Sequence, residues 1–425
     1  MKVTSIILAV SMALAAQAQK NQASPSDVCS TDITGSGQGD LDAIKGCKTY
    51  KGTITMEKPP VDQLTLEGVE SIQGNLIIRG SDTLTSFRAP QLKSVKGELS
   101  ISQHTRLERL DLGSLTEVQS LTLSVLPVLE KIDFAAGLSQ VDDLRIEDTR
   151  ASNIGGLKLE RLHSFALTEN TLMKKFELSA KEITGKLFVV GNSNEMEFDA
   201  SQLASVQDAT FRNLAKINLS GLAHVQSDIS FHQNGFSDLH IDNVEDIGGT
   251  LAIANNDHLT ETSFKKLSLI TGALSIGNNT QLQSISGFPS LNAIHGTVDL
   301  AGNFDKYEFP QLQDVRGGMR IQTTSSSFNC PELEQKFKKS SVVKGSIWGC
   351  KSNMDANNMD PTIGQGGAGG AGGGGGLGSM PKKQKTHNSS SSSKSGDDHS
   401  SDAASISLRG SFVALAAGLL GSLAM

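Results

Sequence analysis

Gly249-Thr-Leu-Ala-Ile-Ala-Asn-Asn256, Gly272-Ala-Leu-Ser-Ile-Gly-Asn-Asn279 and Gly296-Thr-Val-Asp-Leu-Ala-Gly-Asn303 follow one another at offsets of 23 and 24 residues. Each has the form G-x-Φ-x-Φ-x-x-N, with Φ apolar. The alternation Leu251/Ile253, Leu274/Ile276, Val298/Leu300 is strand periodicity with one buried face. A period of this size predicts a solenoid, whose turns bury their apolar faces only by stacking on one another.

The register extends both ways. Upstream, Gly52-Thr-Ile-Thr-Met56, Gly74-Asn-Leu-Ile-Ile78, Gly97-Glu-Leu-Ser-Ile101 and Gly185-Lys-Leu-Phe-Val189 keep the entry glycine. The copies starting at Gln119, Asp142, His163, Gln207 and Ser227 lack it, and Gly317-Gly-Met-Arg-Ile321 ends the series. Thirteen turns result, with start-to-start spacings of 20 to 24 residues. Further apolar marks, such as Leu259, Phe264 and Leu267, predict two more short strands or irregular segments per turn. A horseshoe with helices has a similar period. The Gly, Ser, Thr and Asn content and the lack of any long 3.6-residue stripe favour an all-β coil.

The flanks predict processing and compartment. Lys2, the apolar run Ile6–Leu14 and Ala16-Gln17-Ala18 read as a secretory signal peptide, residues 1–18. The apolar tail Phe412–Met425 is too short to span a bilayer, which needs about 20 residues. With the polar spacer before it and the small residues from Ser401 to Ala404, it reads as a glycosylphosphatidylinositol (GPI) signal. Ser401 or Asp402 is the expected attachment residue, and 403–425 the removed propeptide. The four cysteines suit that oxidising compartment. They admit three pairings. Proximity favours Cys29 with Cys47 and Cys330 with Cys350, closing caps at 19–50 and 330–351 around repeats at 51–329. A loop of this length contributes about 3 kcal/mol in the chain-entropy model. Zinc ligation would need C-x2-4-C spacing, which is absent. From 352 to 402 the composition turns to Gly and Ser, with Lys382-Lys-Gln-Lys385 between the two tracts, and predicts a disordered stalk.

Function is less legible. A net charge of −7 argues against nucleic acid, which needs a basic face. Three N-glycosylation sequons exist, Asn218-Leu-Ser220, Asn278-Asn-Thr280 and Asn388-Ser-Ser390, the first two within the repeats. The recurrent asparagines Asn170, Asn192, Asn234, Asn256, Asn279 and Asn303 are read as an internal ladder that satisfies backbone groups, in preference to a carbohydrate site. The densest acids, Asp142-Asp143 and Glu147-Asp148, fall at strand entry and exit, where solvated charges are expected. Aromatics of the sugar-stacking kind are few: Trp348, Tyr50 and Tyr307. His232, His240, His258 and His295 lack metal-ligand spacing. No catalytic, cofactor or metal residue is therefore expected.

Taken together, signal peptide, cysteine pair, V-x-x-I-x-G-x-L-x-I repeats, second cysteine pair, stalk and tail resemble the fungal GPI-anchored cell-wall organisation proteins, the extracellular-mutant and sporulation-specific group with receptor L-domain-like repeats. The resemblance implies a right-handed parallel β-solenoid and a non-enzymatic role in wall integrity at the outer cell surface. Its implied associations are the membrane, through the GPI lipid, and wall polysaccharides or wall proteins. A receptor-like module for a glycan or protein ligand is the second reading, and a β-helical polysaccharide-active enzyme the third. An exposed aromatic or apolar patch on one sheet face would favour the second.

Overall fold

The computed structural model describes residues 28–365 as a parallel β-solenoid with three ladders running its length. In a typical turn a two-residue entry strand, as in Asp246–Ile247, leads through a bend at the entry glycine into the long ladder, as in Leu251–Ala254. A third, interrupted ladder follows, as in Glu261–Ser263. All thirteen copies occupy the long ladder, with one further strand at each end, Ile33–Gly35 and Trp348–Lys351. The first of these lies inside the stretch expected to be only a cap.

The register follows from the pattern. Leu251, Leu274, Val298 and Met319 are partners on successive turns, as are Ile253, Ile276, Leu300 and Ile321. Each is at most 2% exposed. Burying one such side chain contributes about 1.5–3 kcal/mol, and no turn realises this without its neighbours. Phenylalanines also stack along the axis: Phe264, Phe288 and Phe309 lie 5.0 and 5.7 Å apart between centroids. The entry glycine has a steric cause. A Cβ on Gly272 would sit 2.6 Å from the Gly249 carbonyl oxygen, and one on Gly317 2.4 Å from that of Gly296.

In five places the entry and long strands merge, at Ser94–Ser102, Glu117–Leu126, Gln140–Thr149, Glu182–Val190 and Ser205–Arg212. Disulfides join Cys29 to Cys47 and Cys330 to Cys350 near the two ends. Leu41 and Ile44 close the first, and Leu333 and Phe337, on the helical stretch from Cys330 to Lys339, close the last. Such covered ends stop further turns from adding.

One segment departs from expectation. Residues 352–365, assigned by composition to the stalk, fold back over the outer face of the long ladder. The Asn353 and Met354 amides donate to the carbonyls of Ser325 and Thr323 at 2.9 and 3.1 Å. The Asp360 amide donates to Gln322 Oε1 at 2.7 Å, and Asn255 Nδ2 donates to Gln365 Oε1 at 3.0 Å. This strap runs from the last turns back towards the middle. The expected signal peptide, the remaining stalk, Asn388, Ser401 and Asp402 lie outside the described residues.

Candidate functional site: the outer face of the long ladder

The interior is filled and its polar column is spent on structure. Asn256 Nδ2 donates to the Phe231 carbonyl at 3.1 Å and to Asn279 Oδ1 at 3.0 Å, while its Oδ1 accepts from the Asn234 amide at 2.9 Å. Asn170 and Asn192 repeat the pattern. Each thereby satisfies buried groups that would otherwise cost about 1–3 kcal/mol apiece. Asn303 was expected in this column and does not join it. Its strand, Val298–Gly302, runs one residue longer than its predecessor; Phe304 fills the interior and Asn303 is exposed. Thr149 and His104 hold the equivalent inner place elsewhere. Thr149 donates to Asn170 Oδ1 at 2.7 Å. His104 Nδ1 accepts from the Ser81 amide at 3.2 Å, while Nε2 donates to the Ile78 carbonyl at 3.0 Å. Burial pushes its pKa down. Only the G-x-Φ-x-Φ register, not residue type, marks these positions.

The three outer faces differ in charge. On the entry ladder, ion pairs link rung to rung, Lys93–Glu70 at 2.7 Å and Arg161–Glu182 at 3.1 Å, and His224 Nδ1 lies in hydrogen-bond contact with Asp246 Oδ2 at 2.7 Å. The third ladder carries the pairs Arg88–Asp111 at 3.5 Å and Lys216–Glu197 at 2.6 Å, with His240 Nε2 3.5 Å from Glu261. Two open depressions of about 490 and 550 Å³ lie on that side, the second lined by Arg88, Arg109, Asp111, Lys131 and Asp133. Such exposed pairs are worth about 0–1 kcal/mol each and describe a solvated surface.

The long ladder presents two outward columns that are less charged over the middle turns, beside a third that carries Asp143, Lys186 and Asp208. One runs Ala166, Phe188, Thr210, Ser230, Ala252, Ser275. The other runs Thr168, Val190, Arg212, His232, Ala254, Gly277. Phe188 is 37% exposed, one of three large exposed apolar side chains among the described residues, with Leu172 and Ile347. Its position was visible in Gly185-Lys-Leu-Phe-Val189, where Phe occupies an outward slot between inward Leu187 and Val189. Toward the C-terminal end the strap covers the face. Ala252, Ala254, Ser275 and Ala301 point outward yet are at most 8% exposed, and Ile363 of the strap is 5% exposed. Gly364 sits on Gly277 so closely that a Cβ on Gly277 would lie 2.3 Å from the Gly364 carbonyl oxygen.

The remaining expected residues do not converge. Asp143 accepts from the Ser164 hydroxyl, Glu147 pairs with Arg145 at 2.8 Å, and Asp142 and Asp148 are exposed. Burial and the nearby Arg212 charge lower the pKa of His232 on the outer face, and His258 lines a depression. Tyr50 is buried and donates to the Thr31 carbonyl, whereas Tyr307 and Trp348 are half-buried in the C-terminal cap beside Lys336 and Lys338. No group of three or more His, Cys, Asp or Glu side chains suited to a metal occurs among the described residues. Of the sequons, Asn218 is half-buried with Nδ2 donating to Asp199 Oδ2 at 3.0 Å. Asn278 is exposed and donates to Asn255 Oδ1 at 2.7 Å.

A stacked parallel coil with closed ends defines the class, and the receptor L domain family model matches residues 243–307. Among curated proteins, the cell surface GPI-anchored protein of Arthroderma benhamiae is 31% identical over 75% of this chain and 82% of its own length. Protein ecm33 of Aspergillus fumigatus is 29% identical over 75% and 79%, respectively. Sporulation-specific protein 2 of Saccharomyces cerevisiae is 29% identical over 69% of this chain but only 58% of its own length. No solved structure matches. The chain belongs to this fungal family of ecm33-type cell-surface and cell-wall proteins. Its place is the cell surface or wall.

Proposed function

We propose that the protein is a GPI-anchored surface protein that supports cell-wall organisation without catalysis, as a structural or interaction element. The observation that carries this reading is how the solenoid spends its polar residues. Inside, they close backbone hydrogen bonds between turns; outside, acids such as Glu70, Glu182 and Glu197 sit in rung-to-rung ion pairs. Polysaccharide hydrolysis needs two carboxyls facing one bond, and Asp142, Asp143, Glu147 and Asp148 have no such arrangement. Relatives named as cell-surface GPI-anchored proteins support the anchor.

The experiment is replacement of the gene in its own cells. Loss should sensitise the cells to a wall-binding dye, and the full chain should restore resistance. A chain lacking 403–425 should escape to the medium and fail to restore it. Restoration by that truncated chain would overturn the anchored role. A second reading, a binding module, is favoured by Phe188, a large exposed ring on the outer face of the long ladder.

A further inference from the structure

We propose that Asn278 carries an N-linked glycan in preference to Asn218, and that this glycan stands at the end of the strap and screens it from proteases. The modification requires passage to the cell surface and neither the anchor nor the wall role.

The acceptor is the side-chain nitrogen of Asn in Asn-x-Ser/Thr. Nδ2 attacks the anomeric carbon of an oligosaccharide borne on a lipid pyrophosphate. A C–N bond forms and the C–O bond to the pyrophosphate breaks. The leaving oxygen keeps the electron pair, and the amide gives up one of its two protons to solvent. The product must still fold. One Nδ2 hydrogen therefore has to be free of protein partners, and the sugar must reach solvent.

Asn278 meets both demands. It is exposed, just past the strand Leu274–Gly277, in a bend with a φ of 56°. Nδ2 donates one hydrogen to Asn255 Oδ1 at 2.7 Å, and among the described residues the other has no acceptor. Thr280 is exposed as well, its hydroxyl donating to the Asp257 carbonyl at 3.2 Å. Asn218 differs. It is half-buried, closes the paired strand Lys216–Asn218, and uses both ends of its amide. Nδ2 donates to Asp199 Oδ2 at 3.0 Å, and Oδ1 accepts from the Ser220 amide at 3.2 Å. The Ser220 carbonyl in turn accepts from Asn243 Nδ2 at 2.7 Å. A sugar on Asn218 would crowd this network.

The neighbours of Asn278 form the seat of the strap. Gly277, the residue before it, lies under Gly364, and Asn255, its hydrogen-bond partner, donates from Nδ2 to Gln365 Oε1 at 3.0 Å. A glycan on Asn278 Nδ2 therefore begins beside the amide that seats Gln365. Residues 360–365 lie outside the ladders, in turns held by bonds such as that from the Ile363 amide to the Asp360 carbonyl at 3.2 Å. Cleavage there needs only a local opening, and a bulky hydrophilic chain alongside obstructs the protease.

The test uses the full chain purified from its own cells, digested and treated with an endoglycosidase that leaves one N-acetylglucosamine on each modified asparagine. Mass spectrometry of the peptides separates Asn278 from Asn218 and Asn388. The residual sugar is expected on the Asn278 peptide, with the Asn218 peptide mostly bare. Thr280→Ala should lose it and Thr280→Ser keep it. A bare Asn278, or equal occupancy at Asn218, overturns the assignment. If a chain with bare Asn278 restores dye resistance, the wall reading stands and only the glycan falls. The screen is read by limited proteolysis with a protease of broad specificity. Asn278→Gln should be cut within 353–365 several-fold faster than wild type. Gln103 and Gln233, with φ of 59° and 53°, hold the same position in other turns, so the fold is retained. Wild type trimmed by the endoglycosidase keeps its Asn278 side chain and should be cut at the same raised rate. Equal rates for trimmed and untrimmed wild type overturn the screen.

Discussion

The two ends of one face are built alike and filled differently. Along the outer columns of the long ladder, the turns under the strap carry Ala252, Ala254, Ser275, Gly277 and Ala301, with Asp299 and Arg320 paired at the far end, and the turns before it carry Arg145, Phe188, Val190 and Arg212. The inner residues are of the same sort throughout, Leu, Ile, Val and Phe. What differs is what lies on top. An outward residue on a solenoid is constrained only by solvent and its rung neighbours until a second layer covers it; then its size is fixed as tightly as that of a core residue.

The largest expected effect comes from releasing the covered end. Cys330→Ser with Cys350→Ser opens a loop whose cysteines are 20 residues apart, costing about 3 kcal/mol. The terminal strand Trp348–Lys351 loses its tie to the cap, and the strap begins immediately after it. Limited proteolysis under native conditions should cut first near 353–365, while fragments spanning 145–232 persist. Simultaneous loss of both regions would mean that the solenoid unfolds as one unit and that the comparison has no energetic content.

Next comes the layer itself. Gly277→Val places a side chain where the Gly364 backbone lies, and backbone at 2.3 Å does not yield cheaply. The expected cost is about 2 kcal/mol, taken mostly as detachment of the strap, with faster hydrogen exchange at the Met354 and Asp360 amides. In the open region, Thr168→Val alters the same column and should change stability by less than about 0.5 kcal/mol. If the two substitutions cost the same, the strap contributes nothing to the face beneath it.

The contrast also shows what sequence could reveal. The rung register was readable because G-x-Φ-x-Φ fixes which side chains point inward, and the structure buries Leu251, Ile253, Leu274 and Ile276 accordingly. The inner asparagines were readable as well, because their spacing matched the strands. Asn303 failed because a strand lengthened by one residue moved Phe304 into the interior. The strap was not readable. Its composition is that of a linker, and its complement, small outward residues, lies up to 110 positions away. Neither half signals the other locally. Phe188 was visible as an outward Phe, but its exposure depends on which residues the neighbouring turns place beside it.

The smallest effects are those of pH, and they should separate the two ends. Hydrogen bonds from the Thr362 amide and hydroxyl, then the charges of Arg320 and Lys351, hold the Asp360 carboxyl below its ordinary value of 3.8. A carboxyl that is more acidic when folded adds stability above the unfolded pKa and loses it as pH falls through the folded one. The strap should therefore loosen only in the carboxylate range. His104, under the open end, behaves differently. Its ring is buried neutral, with Nδ1 accepting from the Ser81 amide, and burial lowers its pKa from 6.5. The unfolded chain then takes up the proton first, so stability is full above about 6.5 and declines as pH drops from there toward the folded value. A protonated ring would turn Nδ1 into a donor facing another donor. Denaturant unfolding from pH 7.5 to 5 should show this decline, and His104→Gln, which keeps an acceptor and a donor, should reduce it to the part that His232, also lowered by burial, contributes. Proteolysis of 353–365 should stay constant over that interval and rise only below it. Strap release already at pH 6 would mean that His104 and the strap report on a single cooperative unit.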